Sequence, residues 1–357
     1  MDRTSTFNML TSIKKLCSTN KTPSSSTQSS ISIFPVLEKN GIVGNTLHPQ
    51  VEFYIQKILS IYALLSQLTD LSPSPVTNEL FSDLVGACIT IVPDSVSKMV
   101  LADLRVSSIL PSLREICSDA EACMESYWAE AISSAGSCED AHRVISTFPY
   151  SKNYEHLTRF ELAAISSTGF VLSPSTKVAF IGSGPMPLTS LCILSALSSS
   201  NHMDCTLSPD SSIPSLKLPQ SPSSPSPTVV MNIDSNPTAN EQAQNLCTSL
   251  GGLPATGMKF ITGLAGEDGL DLSGFDIVWL AALVGGIQED KEAILKSVVA
   301  KMEKGSLLVI RGAWGLRSVL YCDFDVTTPA ITTYLDICVR MDPFGDVVNS
   351  VIVGRVK

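Results

Sequence analysis

The stretch Val178-Ala179-Phe180-Ile181-Gly182-Ser183-Gly184-Pro185-Met186-Pro187 limits what this chain can fold into more than any other. An apolar run enters a two-glycine turn, and the largely apolar segment Leu188 to Leu197 follows. That order predicts a buried strand, a tight turn and a helix whose first N–H groups face an adenosine-type ligand. Gly182 and Gly184 are expected to let the backbone approach the ligand, since a Cβ at either place would push it away. Ser183, Pro185, Leu188 and Thr189 lie within the same unit. A two-glycine turn also occurs in ordinary strand-to-helix connections, so the remaining sequence has to decide.

Downstream, strands and helices alternate. Val229 to Asp234 reads as a second buried strand, Thr238 to Leu250 as its helix, Lys259 to Thr262 as strand three and Phe275 to Leu280 as strand four. Helix Glu289 to Lys301 and strand Ser306 to Ile310 follow, then two late strands near Ile331 to Val339 and Val347 to Val353. The pattern predicts an α/β fold, a mostly parallel sheet with helices on both faces, over residues 171–357. Residues 198–228 are dense in Ser and Pro and read as a disordered surface insertion. Residues 46–170 read instead as an all-helical domain: Val51, Tyr54, Ile55, Ile58, Leu59, Tyr62 and Leu65 recur at spacings of three and four, and no stretch alternates like a strand. Further helices are expected over Asn78 to Ile89, Lys98 to Leu104, Leu110 to Ala135, Asp140 to Ser146 and Tyr154 to Ser167. Residues 1–45 form a Ser/Thr-rich tail that is expected to be disordered and cytosolic rather than a transit peptide, because no arginines mark a helical face.

A formal net charge of −10 argues against nucleic acid or an anionic membrane as partner, and no apolar run is long enough for a membrane helix. A small-molecule ligand and a cytoplasmic location are the expectation. The ten cysteines contain no C-x-x-C pair, and His48, His142, His156 and His202 show no ligand spacing, so no catalytic metal is expected.

A pyrophosphate ligand favours a third glycine in the turn, but Pro187 stands there, and no P-loop lysine is present. Ribose and adenine without phosphates fit better, which points to S-adenosylmethionine. Asp234, ending strand two, takes the position of a ribose-binding acid once the insertion of roughly 30 residues is discounted. The adenine is expected against Ala281-Ala282-Leu283-Val284, with Thr262 near a polar atom of the ligand. In the helical half, Glu121 and Glu125 lie one turn apart on one helix face, where shielding from water would raise at least one pKa, although a solvated acidic face has the same spacing. Phe148-Pro149-Tyr150-Ser151-Lys152-Asn153-Tyr154 reads as a loop suited to binding.

Together, Met124-Glu125-Ser126, Phe148-Pro149-Tyr150 with Asn153-Tyr154, the glycine turn with Pro187-Leu188-Thr189-Ser190, Leu280 to Gly285 and Asp346 to Val351 resemble nicotianamine synthase from about residue 50 to the end. The resemblance implies an S-adenosylmethionine-dependent methyltransferase-like Rossmann domain capped by a helical one. It implies aminocarboxypropyl transfer among three S-adenosylmethionine molecules, giving nicotianamine, a chelator of iron, zinc, copper and nickel, and three methylthioadenosines. S-adenosylmethionine is then the substrate, no other cofactor is implied, and a homodimer is compatible. Catalytic roles map onto Glu125 and Tyr154, with Tyr150, Asn153 and Glu121 lining the same cavity and Arg311 placed to pair with a substrate carboxylate. An opine-type or linear relative of nicotianamine as product, or an S-adenosylmethionine-binding protein without activity, are the competing readings. Three departures stand out: Ala265 follows Ile261-Thr262-Gly263 where an acid is usual, leaving Glu267 or Asp268 to supply one; Trp314 replaces a histidine; and Glu125 to Tyr150 is about three residues longer than expected. With the insertion, they suggest a fungal-type or divergent member.

Overall fold

The computed structural model describes residues 49–199 and 229–357, so the tail 1–45 and nearly all of the insertion 198–228 lie outside the described residues. Among the described residues seven helices come first: α1 (Pro49–Leu65), α2 (Pro75–Cys88), α3 (Asp94–Ala102), α4 (Leu104–Ser107), α5 (Leu110–Ser133), α6 (Cys138–Ser146) and α7 (Ser151–Ser167). Local chemistry sets their ends. The Ser74 side chain accepts from the Thr77 N–H and Pro75 opens α2, Asp103 caps α4 where α3 stops, and Ser137 caps α6. Helix α7 begins at Ser151, earlier than its apolar spacing suggests, so Tyr154 stands in its first turn and not on a loop.

Strands and helices then alternate: β1 (Val178–Ile181), α8 (Leu188–Ser199), β2 (Val230–Asp234), α9 (Pro237–Leu250), α10 (Gly252–Gly257), β3 (Met258–Thr262), β4 (Ile277–Leu280), α11 (Gln288–Val299), β5 (Leu307–Gly312), a 3-10 turn (Gly315–Val319), α12 (Pro329–Thr332), β6 (Leu335–Met341) and β7 (Ser350–Val356). The short α10 gives no sequence signal because its glycine-flanked residues lack a helical period. The expected strand from Ile331 starts four residues later, since Pro329 opens a helical turn that includes Ile331.

The seven strands form one sheet in the order β3-β2-β1-β4-β5-β7-β6. The first five pair in parallel, and β7 runs antiparallel between β5 and β6. Alternate residues feed two cores: Val178, Phe180, Trp279 and Val309 on one face, packed with residues of α5, α7 and α8, and Ala179, Ile181, Leu280 and Ile310 on the other, packed with α11. A third core unites α1 to α5 with Leu316, Val319 and Leu320 beyond β5. The helices thus share buried surface with the sheet.

Candidate active site

Parallel pairing sets the site. Ile181 lies level with Ile233 on one side and Leu280 on the other, and Leu280 lies level with Ile310. The residues after these positions, Gly182, Asp234, Ala281 and Arg311, therefore leave the sheet along one edge, as is usual for ligand sites in open parallel sheets. Because β7 is antiparallel and Ser350 pairs with Gly312, Asn349 arrives at that same edge from the opposite direction.

The glycine turn adopts φ of 81° at Gly182 and 65° at Gly184, conformations that disfavour a side chain. A Cβ on Gly182 would meet Val284 Cγ2 at 2.7 Å, and one on Gly184 would meet Glu125 Oε2 at 2.5 Å. The turn is thus glycine because protein side chains crowd it, beyond any need of a ligand. Asp234 fastens it: Oδ2 accepts from the Gly184 N–H at 2.9 Å and Oδ1 from the Asn236 N–H at 2.9 Å. The insertion does not disturb this arrangement, because adjacent parallel strands bring Asp234 to Gly184 whatever chain length separates them.

A cavity of about 330 Å³ follows, lined by Gly182 to Ser190, Asp234, Ala281 to Val284, Glu121, Glu125 and Tyr154. Its roof is α5. The Tyr154 hydroxyl donates to Glu125 Oε1 at 2.9 Å. Burial, reinforced by the charge of Glu121, holds the Glu125 carboxyl well above the usual carboxylate range, although the Tyr154 bond opposes this. Burial also raises Glu121, and Tyr154 is raised well above an ordinary tyrosine by burial and by the charge of Glu125. The solvated-face reading of the two glutamates is excluded.

A second cavity of about 230 Å³ adjoins the first, with Leu71, Phe81, Val85, Met124, Tyr150, Asn153 and Leu157 in its wall. Glu121, Tyr154, Arg311, Tyr321 and Asn349 line both. Burial pushes Tyr150 up to about 12. Asn153 donates to the Asp346 carbonyl at 3.3 Å, tying α7 to the loop that leads into β7.

The family model described as nicotianamine synthase protein matches residues 47–357. The chain belongs to the nicotianamine synthase family. It is 31% identical over 310 residues to nicotianamine synthase 2 of Oryza sativa subsp. japonica, covering 86% of this chain and 83% of that one. It is 31% identical over 306 residues to nicotianamine synthase 1 of Hordeum vulgare, covering 86% and 82%. Among solved structures, MtNAS in complex with MTA and tNA has a TM-score of 0.65 at 17% identity, covering 87% of this chain and 100% of that one. A mutant of MtNAS in complex with S-adenosylmethionine has a TM-score of 0.64 at 18% identity, covering 85% and 98%.

Most of the residues singled out in this family member converge, one requires correction, and one is already engaged by protein groups. Thr262 is exposed at the end of β3, where its Oγ1 accepts from Asn240, and it is absent from the lining of both cavities. It stands one strand beyond Asp234, on the outer edge of the sheet, so register carries it away. Arg311 is not a free cation. Its Nε and Nη2 bond Glu161 Oε1 and Oε2 at 2.7 and 3.1 Å, and Nη2 also donates to Thr189 Oγ1 at 2.8 Å. Only Nη1 has no hydrogen-bond partner among the described residues. Glu161, wholly buried on α7, carries no sequence mark beyond an acid on an apolar face.

Of the departures, Glu267 lies beside Gly263, outside both cavities. Trp314 packs on Phe344 at 5.5 Å, with the Arg317 guanidinium 5.9 Å from its ring, and Arg317 donates to the Gly345 and Val347 carbonyls. Trp314 therefore braces the loop that delivers Asn349.

Three residues escaped the sequence reading. Tyr321 donates its hydroxyl to Glu121 Oε2 at 3.1 Å, and nothing local marks a tyrosine two positions after a 3-10 turn. Asn349 is 7% exposed with an unpartnered Nδ2; its motif flagged the stretch but not the residue. Lys291, wholly buried on α11, donates to the Ala282 and Val284 carbonyls at 2.9 and 3.0 Å and so shapes the loop after β4. Among the described residues no group of three His, Cys, Asp or Glu side chains could hold a metal ion.

Proposed function

We infer that this chain makes nicotianamine, joining the aminocarboxypropyl groups of three S-adenosylmethionine molecules, closing an azetidine ring and releasing three methylthioadenosines. The observation that carries the reading is the Tyr154–Glu125 hydrogen bond set against Gly184, a shielded proton acceptor beside the nucleoside turn.

Each oxygen of Asp234 spends one acceptor site on a backbone N–H and keeps another, so the carboxylate can also receive ribose hydroxyls. Ala281 to Val284 offer the adenine an apolar edge. Glu121, Glu125 and Asp234 surround the same cavity, and such an acidic wall suits a ligand that carries a sulfonium and an ammonium. Arg311 Nη1 and Thr189 stand where a substrate carboxylate can be met.

A sulfonium has three carbons open to attack, and the one aligned with the nucleophile is transferred. An ammonium has no lone pair, so each transfer requires loss of one proton from the amine. Glu125 takes that proton. Its raised pKa narrows the gap to an amine and makes the exchange feasible, while Tyr154 fixes the carboxylate's orientation. The amine nitrogen then bonds to the aminocarboxypropyl carbon, the carbon–sulfur bond breaks with its electron pair on sulfur, and neutral methylthioadenosine departs.

The test is incubation with S-adenosylmethionine alone. Methylthioadenosine with a product of nicotianamine's mass is expected. S-adenosylhomocysteine would sink the reading, and an open-chain product would assign the linear alternative.

A further inference from the structure

The cavity beside the glycine turn is closed at one end and open at the other. Glu121, Glu125, Tyr154, Arg311 and Tyr321 line the closed end, and none of them is exposed. The open end lies where β2 and β4 leave the sheet. Ser235, Asn236 and Leu283 line the cavity there, and all three are exposed, Leu283 to 41%. With the sulfonium facing the base at the closed end, the purine lies against Ala281 to Val284 at the open one.

The acceptors near that purine are turned away from it or already engaged. Among the described residues, the carboxylates lining the cavity are Glu121, Glu125 and Asp234; two belong to the closed end and the third fastens the turn. The Ala282 and Val284 carbonyls receive the Lys291 ammonium at 2.9 and 3.0 Å, and Lys291 lines neither cavity. Asn236 Oδ1 accepts from the Thr238 and Ala239 N–H groups as the cap of α9. The segment after β3 adds no acceptor: Ala265 packs against the core shared with α11, and Glu267 folds over Gly263, exposed and outside both cavities. Beyond these, the hydroxyls of Ser118 on the roof and Ser235 at the rim line the cavity, and neither residue is buried. A buried amine donor without an acceptor is costly, so a nucleoside seated here keeps its exocyclic amino group in the water of the rim.

We propose that the enzyme holds its donor by the ribose, the sulfonium arm and the apolar face of the purine without reading the exocyclic amine, and so turns over S-adenosylmethionine analogues in which that amine is removed or alkylated. This rests on the reaction inferred above. The amine of the base takes no part in bond making. The acceptor nitrogen, having lost its proton, still bonds to the aminocarboxypropyl carbon, and the carbon–sulfur bond still breaks with its electron pair on sulfur. The leaving group is then the methylthionucleoside of the altered base. A site built to bond a substrate N–H rejects the analogue that lacks it, because the site's own polar groups are left unpaired. Here no carboxylate or buried acceptor is set aside for the amine, and an alkyl chain on it extends past Leu283 into solvent.

The experiment gives the full chain S-adenosylmethionine, its des-amino analogue or its N-propyl analogue as sole substrate, and measures kcat/KM for release of the matching methylthionucleoside. Both analogues are expected within about fivefold of S-adenosylmethionine, less than the roughly tenfold or more that a lost hydrogen bond to a charged group costs. A larger drop for the des-amino donor would overturn the proposal. So would a larger drop for the propyl donor alone, which would show the rim closed over the amine. Glu267→Gln checks whether that acid swings in when the donor binds. The variant is expected to match wild type with all three donors; a loss with S-adenosylmethionine that is absent with the des-amino donor would name Glu267 as the reader of the amine and defeat the proposal. S-adenosylhomocysteine in place of methylthioadenosine from S-adenosylmethionine itself would instead defeat the parent reading, so the two failures are distinguishable.

Discussion

Glu125 Oε2 stands 2.5 Å from where a Cβ on Gly184 would lie, so a side chain on the glycine turn would oblige the carboxylate of the helical half to move. Gly184→Ala should displace Glu125 and also strain a backbone held at φ 65°, at a cost of about 1–2 kcal/mol. Turnover should fall by at least about tenfold because base and sulfonium lose register. Steady-state kinetics of the variant provide the check, and kcat within twofold of wild type would show that the contact has slack.

Glu125→Gln and Tyr154→Phe should leave the fold and substrate affinity near wild type while turnover drops by about 10²- to 10⁴-fold, the usual contribution of a positioned base. Near-normal methylthioadenosine release from Glu125→Gln would remove it from the role of base.

The pH response of Glu125 has a definite sign. Its folded pKa lies well above the ordinary carboxylate value of 4.5, chiefly through burial. The protonated form is therefore favoured on folding. That contribution is complete below about 4.5 and is lost as pH rises through the folded value. Turnover should rise over the same interval as the carboxylate forms, so activity and stability are opposed. Glu125→Gln should gain stability relative to wild type with increasing pH, measured as the difference in denaturant midpoint at several pH values; a constant difference would contradict the shift.

The Arg311–Glu161 pair joins α7 to β5 with both side chains out of water. Removing one partner leaves a buried charge, at a cost of about 3–5 kcal/mol. Glu161→Ala should accordingly be among the most destabilising single changes in the chain, measured by chemical denaturation. A loss under about 1 kcal/mol would mean that Arg311 finds another acceptor.

Lys291 is wholly buried, its pKa lowered to about 8 by burial, and its ammonium holds the Ala282 and Val284 carbonyls. Lys291→Met keeps the volume and orphans both carbonyls. Substrate affinity should weaken through the loop after β4, by about 1–3 kcal/mol, with calorimetric titration of S-adenosylmethionine as the check. Unchanged affinity would show that this loop is held by other means.

The sequence by itself determined the elements that carry strong periodicity or turn chemistry: the apolar run of β1 into its glycines, the helix register of α1, and the pairing of Glu121 with Glu125 on one helical face. It also marked Asp234 at the end of β2, whose bond to the Gly184 N–H then follows from the parallel pairing of β1 with β2. What only the tertiary structure decided are relations between distant segments. Asn349 reaches the site because β7 runs antiparallel to β5, and no local pattern of Asp346 to Val351 encodes strand direction. Tyr321 meets Glu121 across 200 residues. Thr262 falls outside because sheet order puts β3 on the edge. Arg311 is engaged by Glu161 because α7 packs over the β7–β6 side of the sheet, next to β5. Local sequence sets torsions and faces, which depend on neighbours within a turn or a strand, whereas the partner of a buried charge or hydroxyl depends on which elements pack together.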